Sequence, residues 1–67
     1  MRLNVEYLKE VIERKGWTIG QFAVKTGLST TTISRILNGK RGAGAKSIGR
    51  IVKALPGEPL DKLFFLE

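Results

Sequence analysis

The chain has 67 residues with no cysteine and no histidine, which allows one domain and excludes a disulfide framework or the usual zinc staples of small folds. Its apolar fraction of 42% is that of a globular chain, and no apolar run approaches the ~18 residues of a membrane span or resembles a signal peptide, so an intracellular, cytoplasmic protein is expected. The net charge of +6 is segregated: Glu6, Glu10, Glu13, Glu58, Asp61 and Glu67 lie towards the ends, whereas Arg14, Lys15, Lys25, Arg35, Lys40, Arg41, Lys46, Arg50 and Lys53 fill an interval with no acid, the pattern of a surface that attracts polyanions.

Five helices are expected in chain order. In NVEYLKEVIERKG, Asn4 reads as a cap, Val5, Leu8, Val11 and Ile12 form an apolar stripe, Glu10 and Arg14 stand four apart, and Gly16 closes the helix. In TIGQFAVKTG, Thr18 with Gln21 three residues on matches a capping box, Ile19, Phe22 and Ala23 turn inward, and Gly27 ends the segment. Ser29 then caps a third helix with Ile33, Ile36 and Leu37 inward, ending at Asn38-Gly39. After the loop KRGAG, a fourth helix carries Ile48, Ile51, Val52 and Leu55 inward and stops at Pro56-Gly57. Pro59 opens a short fifth helix in which Leu60, Leu63 and Phe64 face the core. Gly20 and Gly49 each cost about 1 kcal/mol relative to alanine inside a helix, which implies close packing at both. No strand pattern competes. The expectation is an all-α bundle of five short helices, with residues 1–67 as a single domain.

Only TGLS joins the second and third helices, and so short a turn forces a sharp crossing. Ala23 is small at the crossing, Gly27 can take the left-handed conformation at the corner, and Leu28 and Ile33 plug the angle. At about 100° per residue, Ile33, Ile36 and Leu37 share one side of the third helix. The other side holds Thr31, Arg35 and Asn38, flanked by Ser34, with Thr30 and Thr32 at the edges and no acid. Threonine is a mediocre helix former, so three in succession are not there for propensity. Threonine hydroxyls can bond a base edge in either sense, and arginine can grip both acceptors of guanine. Thr30, Thr31 and Arg35, with Ser34 after them, are therefore the candidate base readers; the alternative is a capping and surface segment.

The stretch TIGQFAVKTGLSTTTISRILNGK, with Ala23, Gly27 and Ile33 at helix-turn-helix spacing and Asn38-Gly39-Lys40 at its end, resembles the Cro and phage-repressor family, the lambda-repressor-like or XRE-type DNA-binding domains. The resemblance covers nearly the whole chain, with the helix-turn-helix at about residues 18–38. It implies that the start of the second helix, at Thr18, clamps the DNA backbone, where unpaired N–H groups and the helix dipole favour an anion. The family often has Gln directly after that cap; here the position is Ile19, and Gln21 belongs to the cap. Thr32, Asn38, Lys40, Arg41 and Lys46 are the other candidate phosphate contacts. Arg50, Lys53 and Lys25 read as solvated, and Tyr7, Trp17 and Phe22 as core or core-edge packing.

Proteins of this kind bind as two-fold dimers on paired half-sites, and the tail residues Phe65 and Leu66, with little to cover them, are the candidate dimer contact, the alternative being that they cap a small core. The function expected is a sequence-specific double-stranded DNA-binding transcriptional regulator, a repressor, of prokaryotic or phage type and associated with the nucleoid. The second reading is an antitoxin or other protein-interaction module on the same fold that also binds its own operator; a nonspecific RNA or membrane-surface binder is the third. Neither a nucleophile–base pair nor a metal cluster is evident, so neither an enzyme nor a cofactor is expected. A ligand-sensing second domain does not fit within this length, which leaves control to concentration, a partner or a larger parent protein.

Overall fold

The elements in chain order are β1 (Arg2–Leu3), α1 (Val5–Arg14), α2 (Ile19–Thr26), α3 (Thr30–Leu37), α4 (Ala45–Ala54), α5 (Leu60–Leu63) and β2 (Phe64–Phe65), in a computed structural model that describes residues 2–39 and 44–65. Three of the helices start where short polar side chains can take up their unpaired N–H groups. Asn4 Oδ1 accepts the Tyr7 N–H at 3.2 Å. Thr18 Oγ1 accepts the Gln21 N–H at 3.1 Å while Gln21 Oε1 accepts the Thr18 N–H at 2.8 Å, closing the capping box. Ser29 Oγ accepts the Thr32 N–H at 3.1 Å. Each such cap stabilises its helix by about 1 kcal/mol relative to alanine. α4 begins at Gly44 with no side-chain cap.

The core joins all five helices. Leu8, Val11, Phe22, Ile33, Ile51, Leu55 and Leu63 are fully buried, and removing each from water contributes about 1.5–3 kcal/mol. α1 packs on α3 and α5, and α2 packs on α3 and α4. Trp17 stacks on Phe22 with ring centroids 6.0 Å apart, and the ammonium groups of Lys15 and Lys25 lie 5.4 and 5.5 Å from its ring centre.

Four expectations change. The ends of the described chain are not helical: β1 and β2 pair antiparallel, Arg2 opposite Phe65 and Leu3 opposite Phe64, continued by the Asn4 N–H donating to the Leu63 carbonyl at 2.7 Å. Leu3 and Phe64 point inward and Arg2 and Phe65 outward, a period of two too short to show in the sequence. Leu60 is 56% exposed rather than inward, because α5 is a single turn whose inward place Leu63 takes. Ile19 is 41% exposed: it is the first residue of α2, whose buried residues, Phe22, Ala23 and Thr26, all come from later in the helix. Finally, Gly20 and Gly49 are not sites of close packing. Among the described residues, a Cβ at Gly49 would meet nothing within 4 Å, and one at Gly20 only Thr18 Oγ1 at 3.8 Å.

Candidate nucleic-acid interface

The angle between α2 and α3 is fixed by a short run of hydrogen bonds. Gly27 caps α2 in the left-handed conformation, φ 74°, a backbone shape glycine adopts without the clash a Cβ would bring. Its N–H donates to the Ala23 carbonyl at 2.8 Å. Buried Thr26 completes the corner: its hydroxyl donates to the Ala23 carbonyl at 3.0 Å and accepts the Leu28 N–H at 3.2 Å. Leu28 then packs on the core, and α3 departs with its direction set.

α3 buries Ile33, Ile36 and Leu37 and leaves Thr30, Thr31, Arg35 and Asn38 exposed, with Thr32 and Ser34 half-buried. Of the candidate base readers, Thr30, Thr31 and Arg35 therefore stand together on the outward side of α3 and Ser34 is half-buried, with no carboxylate on α2, α3 or α4. Thr30 and Thr31 occupy the first turn and Arg35 the next.

The phosphate candidates flank this face. Thr18 is exposed at the start of α2, and its oxygen accepts from Gln21, so its hydroxyl hydrogen is available to an anion. Gln21 adds a donor that the sequence did not suggest: with Oε1 engaged in the box, its amide NH₂ is left exposed beside the same helix start. Thr32 is partly spent on the cap, since the Ser29 hydroxyl donates to Thr32 Oγ1 at 2.9 Å. Asn38 ends α3, its amide 3.5 Å from Ser34 Oγ. Lys46 is exposed in the first turn of α4. Lys40, Arg41 and Leu66 lie outside the described residues.

A second basic surface joins Lys46, a phosphate candidate, to three residues that the sequence left as solvated. Lys25 on α2 and Lys46, Arg50 and Lys53 on α4 line one groove, with Thr26 and Gly49 between them. No carboxylate forms an ion pair with any of the four cations among the described residues. The Arg50 guanidinium leans on the helix-turn-helix corner, its Nη1 2.7 Å from where a Cβ on Gly27 would stand. The i, i+4, i+7 spacing of Lys46, Arg50 and Lys53 was the available signal; their meeting with Lys25 needs the fold. The adjoining edge of α4 forms a largely apolar groove with α5, lined by Ile48, Val52, Leu60 and Phe64 and bordering the basic groove at Gly49 and Lys53. Nearby Phe65 is 43% exposed, with the Arg2 guanidinium 4.9 Å from its ring centre.

The acids gather elsewhere. Tyr7 donates its hydroxyl to Glu58 Oε1 at 2.7 Å, and Arg14 Nη2 reaches the same oxygen at 3.2 Å. The Tyr7 hydrogen bond first, and the Arg14 charge after it, hold the Glu58 carboxyl below the usual carboxylate range, and that hydrogen bond pushes the Tyr7 phenol up. This cluster joins α1 to the segment before α5 and leaves α2, α3 and α4 uniformly basic.

A family model described as helix-turn-helix matches residues 8–63. A Bacillus subtilis (strain 168) protein described as the uncharacterized HTH-type transcriptional regulator YvzC is 29% identical over 52 residues, covering 78% of this chain and 68% of that protein. No solved structure matches.

Proposed function

This chain belongs to the helix-turn-helix family, which supports a DNA-binding transcriptional regulator, and from that premise we propose that it reads a specific duplex sequence through α3 in the major groove and acts as a repressor. The observation that carries this reading is the outward face of α3, where Thr30, Thr31 and Arg35 are exposed above a buried Ile33, Ile36 and Leu37. Early residues of a recognition helix reach base edges, and Arg35 one turn on has the length to grip a guanine. Thr18, the Gln21 amide and Lys46 hold backbone on either side, with Thr32, Asn38, Lys40 and Arg41 as further phosphate contacts. The likeness to YvzC, a protein described as a transcriptional regulator, supports the regulatory role.

The test is selection of bound sites from random duplex DNA. An enriched motif is expected, with Arg35→Ala relaxing preference at one guanine by about 1–3 kcal/mol and Lys46→Ala weakening all sequences alike. Recovery of no motif, or a motif unchanged by Arg35→Ala, would overturn the reading.

The apolar groove between α4 and α5 favours an added protein contact. Exposed Leu60 and Phe65, with Leu66 beyond them, are the proposed dimer surface, and paired half-sites in the selected DNA are the expected companion. An antitoxin would use the same groove for its partner. Sedimentation at micromolar concentration separates these: a strict monomer, alone and on DNA, would remove the dimer.

A further inference from the structure

Helix α4 is built against its own stability on one face. Lys46 puts a cation in the first turn, the positive end of the helix dipole. Lys46, Arg50 and Lys53 repeat at i, i+4 and i+7, so like charges stack along one side. Gly49 stands exposed in mid-helix, where glycine is disfavoured, yet among the described residues nothing packs against it that a methyl group would disturb. The start of the helix has no side-chain cap. No carboxylate among the described residues offsets these cations, only Arg50 reaches another element, at the Gly27 corner, and local rules broken together on one face mark a functional surface.

All of these except the missing cap fall on the groove shared with α2, where Lys25 adds a fourth cation and Gly49 leaves the floor bare. The Arg50 guanidinium lies against Gly27 at the helix-turn-helix corner, which puts part of the positive charge beside the element that carries α3. The groove starts at Lys46, already a candidate backbone contact, and along α4 its cations span about 10 Å at 1.5 Å per residue. A strand of duplex presents phosphates on that scale, and an open groove of cations that no carboxylate neutralises among the described residues, with a bare glycine between them, admits a backbone more readily than a folded protein surface.

We infer that the α2–α4 groove is a second phosphate-binding site, which takes the backbone of DNA flanking the sequence read by α3. This rests on the DNA-binding reading above. Flanking contacts add affinity without adding sequence preference, and they add counterion release.

The test compares the selected site in a duplex trimmed to the motif with the same site extended by about one helical turn, ~10 bp, on each side. Binding of the full chain is measured by titration across a range of salt. The flanks are expected to tighten binding and to steepen the slope of log K against log salt by about 2–3, the release expected for about two to three phosphates at about 0.9 each. Lys25→Gln with Lys53→Gln is expected to erase that gain. Gly49→Ala gives an independent check: it should raise the melting temperature while reducing the gain from the flanks, which a purely structural role for Gly49 would not do. Equal affinity and equal slope on the two duplexes, or a double variant that keeps the flank-dependent gain, would overturn the inference and leave base reading by α3 intact. Failure of the chain to select any motif would instead overturn the base-reading premise, and this inference with it.

Discussion

α1 and α4 are helices of equal length, ten residues each, and they differ in almost every other respect. α1 has a side-chain cap at Asn4, an acid in its first turn at Glu6 and a base in its last turn at Arg14, each placed as the helix dipole favours. Within it Leu8, Val11 and Ile12 are buried, and Arg14 finds a carboxylate in Glu58. α4 has no side-chain cap, a cation where α1 has an acid, a glycine in its middle, and only Ile51 fully buried within its span. The contrast separates scaffold from working surface: residues in α1 serve the folded state, while a good part of α4 serves something outside it.

The largest test of this contrast is in the core. Leu8→Ala is expected to cost about 2–5 kcal/mol, comparable with the whole stability of a chain this small, about 3–5 kcal/mol, and urea unfolding should show a largely unfolded variant. Ile48→Ala, half-buried on α4, should cost clearly less; equal losses would make α4 as much a scaffold as α1. Next come two substitutions of similar size and opposite sign. Asn4→Ala should destabilise by about 1 kcal/mol through loss of the α1 cap, whereas Gly49→Ala should stabilise by about 0.8–1 kcal/mol because its methyl group has open space. Thermal melts of the pair decide, and a Gly49→Ala variant that melts lower than the parent would remove the claim that α4 gives up stability. Lys46→Glu should add about 0.3–1 kcal/mol by restoring an acid to the first turn, and gel-shift titration should show it weakening DNA binding.

The smallest effect is a pH dependence belonging to the α1 side. Glu58 is held below its ordinary range by Tyr7 and then Arg14, so its contribution is present at neutral pH. It is lost as pH falls past the unperturbed glutamate value of about 4.3 towards the lowered folded one. Melting temperature against pH should therefore fall more steeply on the acid side in the parent than in Glu58→Gln; parallel curves would show that the cluster does not stabilise the fold.

What could be read in the sequence was local. The caps at Asn4, Thr18 and Ser29, the left-handed Gly27 and the polar face of α3 all follow from residues within a turn or two of each other, where spacing alone decides. The remainder depended on distant segments meeting. Tyr7 and Glu58 sit at opposite ends of the chain, as do Leu3 and Phe64, and nothing in either neighbourhood announces the other. Gly49 was misread because a glycine that allows tight packing and one that leaves space for an occupant look alike until its neighbours are known. Arg50 and Lys25 read as solvated for the same reason: each alone is an ordinary surface cation, and only the crossing of α2 with α4 assembles them with Lys46 and Lys53.

The stacking of Trp17 on Phe22, with Lys25 over the same indole, gives the molecule a built-in optical reporter. It is the chain's sole tryptophan, and it touches both the hydrophobic interior and one of the groove's cations. Its fluorescence can thus follow unfolding through the loss of Phe22 and follow an anion through any movement of the Lys25 ammonium, with no dye attached.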